Sequence, residues 1–136
     1  MASGANILVI GPAATSRVPL CGGWTYHWQG ACSDSEFSRG SSIAQAVTTR
    51  AAVNVSGCLY WRLCSDLAYQ DITVTVMEGC DFSDTPVSPS TLADISQAAH
   101  KATVVIFAAG EAPESESVGN INDLRSVGQL CPSTAF

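Results

Sequence analysis

Positive charge is scarce in this sequence: six Lys and Arg stand against twelve Asp and Glu, giving a net charge of −6 and a pI near 4.5. Such a chain repels phosphate backbones and anionic headgroups, so neither nucleic acid nor a membrane surface is expected as a partner. Long apolar runs are also missing. The longest, VVIFAA, is far short of the about 20 residues that span a bilayer. The opening MASGANILVIGP has neither a basic leader nor a cleavage site, so no address is visible and a cytoplasmic protein is the default expectation. The six cysteines, Cys21, Cys32, Cys58, Cys64, Cys80 and Cys131, include no C-x-x-C or other paired zinc spacing, so no metal is expected. They read as buried or free thiols, with a disulfide framework as the alternative for an exported chain. The sequon Asn54-Val55-Ser56 matters only in that second case. Glycine-rich phosphate loops of the G-x-G-x-x-G or G-x-x-x-x-G-K-[ST] type are absent after the first apolar run, which disfavours a nucleotide cofactor.

What is present is the composition of one ordinary globular domain: 136 residues, 46% hydrophobic and 13% charged. Ile7-Leu8-Val9-Ile10, stopped by Gly11-Pro12, reads as a parallel strand buried on both faces. Residues 12–39 form a loop too long for a plain connection, and its two tryptophans argue that it is ordered. A helix follows from Ser41 or Ser42, with Ile43, Ala46 and Val47 on one face. Residues 53–69, with Tyr60-Trp61, are ambiguous. Residues 71–77, DITVTVM, alternate as a strand at a sheet edge does. A second helix is expected from Ser90 or Thr91, with Leu92, Ile95, Ala98 and Ala99 on its inner face, Asp94 early and His100-Lys101 late. Residues 103–109, TVVIFAA, repeat the apolar run of the first strand.

This βαβαβ order predicts an α/β fold: a three-layer α/β/α sandwich around a mainly parallel, flavodoxin-like sheet with a 2-1-3 core order. No later strand is visible to cover the outer side of the third. The sheet is therefore expected to be incomplete at its C-terminal side, either an exposed edge open to self-association or part of a longer domain. Ligands of such sheets bind beyond the carboxyl ends of the strands, where the winding reverses. Here that crevice separates the first and third strands, so GPAATSRVPLCGGWTYHWQG should face GEAPESESVGNINDL. Trp24 and Trp28 could stack on the flat C–H face of a sugar, or simply cap the sheet. Glu111, Glu114 and Glu116 could supply a general acid if an apolar neighbour or second carboxyl raised one of them, or form a solvated acidic loop. His27 and His100 have no matching Ser or Cys nucleophile motif and read as structural or exposed.

In order, ILVIGPAA, CGGWTYHWQG, EGCD and ATVVIFAAGEAPESESVGNINDL resemble the second, α/β-sandwich domain of the family 3 glycoside hydrolases, the β-glucosidases and exo-glucanases. The resemblance covers roughly residues 5–124 of a single domain, residues 1–136, and leaves residues 125–136 as a divergent tail. In that family an N-terminal (β/α)8 barrel supplies the aspartate nucleophile. The resemblance implies that Glu116 sits at the position of the general acid/base, and that Trp24 and Trp28 line glucose subsites. Glu114 stands where members often carry an aromatic residue. Retaining hydrolysis needs two carboxyl groups about 5 Å apart, and the barrel that carries the nucleophile has no counterpart here. The expectation is a truncated homologue of β-glucosidases, inactive alone, or else a carbohydrate- or partner-binding module, half of a split glycosidase. Its ligand would be a β-glucoside or glucan, and its partner a barrel chain or a second copy.

Overall fold

The structure, a computed structural model, describes residues 4–52, 72–79, 82 and 88–115. The ambiguous stretch 53–69, the sequon, Cys58, Cys64, Cys80, Cys131, Glu116 and the tail 125–136 lie outside the described residues.

The apolar run near the start forms β1 (Asn6–Ile10), and it is the central strand. β2 (Thr73–Met77) and β3 (Val104–Phe107) flank it in the order β2-β1-β3, both parallel to it. Leu8 sits opposite Thr75 on one side and Val105 on the other. Strand side chains alternate between faces, so a continuous apolar run serves a strand covered on both sides. Val9 packs on one face with Ala44, Ile43 and Val47 of α1 (Ile43–Ala52). Leu8 and Ile10 pack on the other with Ile95, Ala98 and Ala99 of α2 (Pro89–Lys101). One helix on each face makes the three layers. Each fully buried aliphatic side chain of β1 contributes about 1.5–3 kcal/mol.

The ends of these elements follow local chemistry. Ser42 and Gln45 cap α1 reciprocally: the Gln45 N–H donates to Ser42 Oγ at 3.2 Å, and the Ser42 N–H donates to Gln45 Oε1 at 3.0 Å. α2 begins earlier than the expected Ser90 or Thr91. Ser88 is its cap, accepting the Thr91 N–H, and Pro89 occupies the first turn. A proline there loses nothing, because the first helical N–H groups have no partner within the helix. β3 takes four residues of the seven-residue run TVVIFAA, and β2 begins at Thr73 within the alternating stretch.

Among the described residues the alternating strand β2 is outermost on its side, with Thr73 and Thr75 exposed and Val74 packed toward α1. β3 differs from β1 although their sequences are alike. Val104, Val105 and Phe107 remain 39–49% exposed, and no strand lies beyond β3 among the described residues. Apolar sequence makes a strand, but neighbours decide whether it is buried.

Candidate functional site

The carboxyl ends of β1 and β3 converge on Gly11. Its φ is +110°, and a Cβ there would stand 2.5 Å from the Ala108 carbonyl oxygen, so only glycine permits the approach. The Ala108 N–H donates to Ile10 O at 2.7 Å and the Ala13 N–H to Ala108 O at 3.0 Å. From this junction residues 11–42 loop over the end of the sheet, and residues 108–115 leave on the opposite side. Thr15 Oγ1 donates to Glu78 Oε1 beyond β2 at 2.9 Å, tying the long loop to that strand as well.

Polar anchors order the loop. Asp34 Oδ1 accepts the Arg17 backbone N–H at 2.6 Å and lies 3.4 Å from Arg17 Nε. The Arg17 guanidinium also donates to the carbonyls of Asp34 and Phe37 and lies over the Phe37 ring, 5.7 Å from its centre. The backbone N–H bond from Arg17, with the Ser16 hydroxyl and the guanidinium, holds the Asp34 carboxyl below its ordinary value against the opposing effect of burial. A short 3-10 turn, Asp34–Glu36, is closed by a capping box. Glu36 Oε1 accepts the N–H groups of Cys32 and Ser33 at 2.8 and 3.0 Å, while Oε2 lies 2.6 Å from His27 Nε2. The Cys32 N–H and the His27 ring lower the Glu36 carboxyl, again against burial. His27 is thus a structural partner of Glu36, and His100 lies exposed in the last turn of α2.

The aromatic turn stands on these anchors. Trp24 and Tyr26 have φ of +65° and +63°, a left-handed backbone that costs an L-residue roughly 1–2 kcal/mol. The Trp24 N–H donates to the Trp28 carbonyl at 3.0 Å and closes the turn. Tyr26 meets the Phe37 ring edge to face at 5.3 Å. Trp24, Tyr26 and Trp28 are nonetheless 72, 59 and 49% exposed. They do not fill the end of the sheet; the turn presents them to solvent.

The two loops face each other, as the strand order requires. The Ser115 N–H donates to Gln29 Oε1 at 2.9 Å, and Ser115 Oγ donates to the Trp28 carbonyl at 2.6 Å. A Cβ on Gly23 would lie 2.6 Å from Ser115 Cβ and 2.9 Å from Glu114 O; one on Gly30, at φ +96°, would lie 2.6 Å from Pro113 Cβ. These glycines are where the loops touch. Glu111 and Glu114 are exposed, and Ser115 is the residue just before Glu116. Cys21 and Cys32 are free thiols. Among the described residues no group of three or more His, Cys, Asp or Glu is placed to hold a metal ion. The contacts made by Gln29, Ser115, Arg17 and Asp34 were not read from the sequence. One signal was available: Ser33-Asp34-Ser35-Glu36 has the S-x-x-E spacing of a capping box.

Fold and site together define a parallel α/β domain with an aromatic loop set against a carboxylate-bearing loop at the carboxyl end of its sheet. In sequence the chain is 34% identical, over 119 residues, to the lysosomal beta glucosidase of Dictyostelium discoideum. The match takes in 88% of this chain but 12% of that protein, so the chain corresponds to one region of it. No protein-family model and no solved structure matches the chain.

Proposed function

We propose that this chain is a relative of the second, α/β-sandwich domain of the family 3 glycoside hydrolases and contributes one wall of a β-glucoside site. Trp24 and Trp28 form a platform on which a glucosyl ring stacks, and Glu116 is the acid/base of the opposite loop. The observation that carries this reading is the direct bonding of the Trp28-Gln29 segment to Ser115, which joins the aromatic turn to the residue preceding Glu116. Exposed indoles beside amide and carboxyl groups suit a sugar, whose ring has an apolar C–H face and hydroxyls at its rim. The likeness to a β-glucosidase gives the sugar its class.

A retaining mechanism requires a second carboxylate as nucleophile about 5 Å from the acid/base. In this reading that group comes from another domain or chain, and these 136 residues alone bind a glucoside without cleaving it. The alternative, a binding module that docks glucan or a protein partner, draws on the same exposed rings. One experiment tests the proposal: glucose and laminaribiose titrated against tryptophan fluorescence, with release of an aryl leaving group followed in parallel. The expected result is a saturable fluorescence change, lost in Trp28→Ala, without hydrolysis. No fluorescence response would refute the sugar platform, and hydrolysis abolished by Glu116→Gln would refute the inactive half-site.

A further inference from the structure

The aromatic turn poses a mechanical problem. Its rings are largely exposed, so burial cannot fix where they point, and two of its residues hold a left-handed backbone that L-residues avoid. Directed bonds must hold it instead. The Trp28 carbonyl is where they meet, because it accepts the Trp24 N–H that closes the turn and also the Ser115 hydroxyl from the opposite loop. Gln29 adds a second tie, its Oε1 accepting the Ser115 N–H and lying 3.1 Å from the Ser115 hydroxyl. Gly23 and Gly30 allow this by leaving no side chain where the loops meet. Three contacts from 86 or 87 residues away in sequence, with close approaches at two glycines, therefore converge on one short segment.

From this convergence we infer that Gln29 and Ser115 are positioning residues: they lock the aromatic turn onto the segment that leads toward Glu116, so that the turn and residues 113–115 are held as one body. The role in sugar binding rests on the function proposed above; the lock itself does not. Neither residue needs to touch the sugar. Ser115 acts through the Trp28 carbonyl and Gln29 through the Ser115 backbone, and losing either removes a tie between the turn and the opposite loop while the turn's own bonds, such as Trp24 N–H to Trp28 O, remain.

The test uses the full chain labelled with 5-fluorotryptophan, the fluorine resonances being assigned with Trp24→Phe and Trp28→Phe. Ser115→Ala and Gln29→Met should shift or broaden the Trp24 and Trp28 resonances while the near-ultraviolet circular dichroism of a folded chain is kept. Ser115→Thr, which keeps the hydroxyl, should restore the wild-type positions. Laminaribiose Kd should rise about 5- to 10-fold in Ser115→Ala and return toward wild type in Ser115→Thr. Unshifted Trp24 and Trp28 resonances in both Ser115→Ala and Gln29→Met would overturn the lock. Loss of the near-ultraviolet circular dichroism signal together with a lowered Tm would also overturn it, by showing a general structural role. A wild-type chain that ignores laminaribiose, while its variants show the expected fluorine shifts, would refute the sugar reading and uphold the lock.

Discussion

β1 and the loop that follows it are adjacent in sequence and held by opposite means. β1 is five residues whose inner side chains vanish into apolar layers on both faces. The loop carries larger apolar rings and buries few of them, relying on Arg17, Asp34, Glu36, Gln29 and Ser115 and on glycines at the closest approaches. Burial is non-directional and holds a strand in place as long as volume is filled. Hydrogen bonds are directional, and each contributes only about 0.5–1.5 kcal/mol net, but they can fix rings that stay exposed to solvent. A core element and a presenting element should therefore fail in different ways.

The largest effect should come from the core. Leu8→Ala removes a buried side chain between β1 and α2 and should cost about 2–5 kcal/mol in urea denaturation; a loss under 1 kcal/mol would show that the sheet is not what holds the domain. The paired glycines give a narrower contrast. A Cβ on Gly23 meets Ser115 and Glu114, whereas one on Gly22 meets nothing within 4 Å. Gly23→Ala should cost about 1–3 kcal/mol through overpacking, and Gly22→Ala should stay within about 0.5 kcal/mol of wild type; equal effects on thermal unfolding would mean the loops do not touch there.

Acid should act on the loop. Asp34 and Glu36 have carboxyls held below their ordinary values of 3.8 and 4.5. A lowered folded value means the unfolded chain binds protons more readily. The stabilisation is therefore complete above those ordinary values and disappears as pH falls through the folded ones. Tm measured from pH 6 downward should stay level and then drop below about pH 4, with a shallower drop in Asp34→Asn. An identical acid limb in that variant would remove Asp34 from the account. The smallest change is expected at Trp24. Glycine relieves its left-handed backbone, so Trp24→Gly should be neutral or up to about 1 kcal/mol more stable. Its fluorescence response to laminaribiose should nevertheless be lost, and a large destabilisation would show that the exposed ring holds the turn together.

Much of the core was legible in the residues. ILVI named the central strand, the alternation of Val74 with its threonines named an edge, and Ile95, Ala98 and Ala99 marked the inner face of α2. Those patterns are local and their periods are set by backbone geometry. The start of α2 differs from the expected Ser90 or Thr91 by one or two residues because Pro89 looked like part of the preceding loop, when its missing N–H suits a first helical turn. At the candidate site, the facing of the two loops followed from strand order. The bonds joining them did not, because Gln29 and Ser115 carry no spacing signal: they are far apart in the chain and meet only once β1 and β3 lie side by side.

By itself the sequence determined the alternation of strands and helices, the parallel 2-1-3 sheet, and a tryptophan-bearing loop at its carboxyl end. Each of these depends on hydrophobic period or connection length, both of which are written along the chain. Only the tertiary structure decided that the indoles face solvent and that one serine joins the turn to the opposite loop. Exposure and long-range hydrogen bonds are properties of neighbours, and neighbours exist only after the chain has folded.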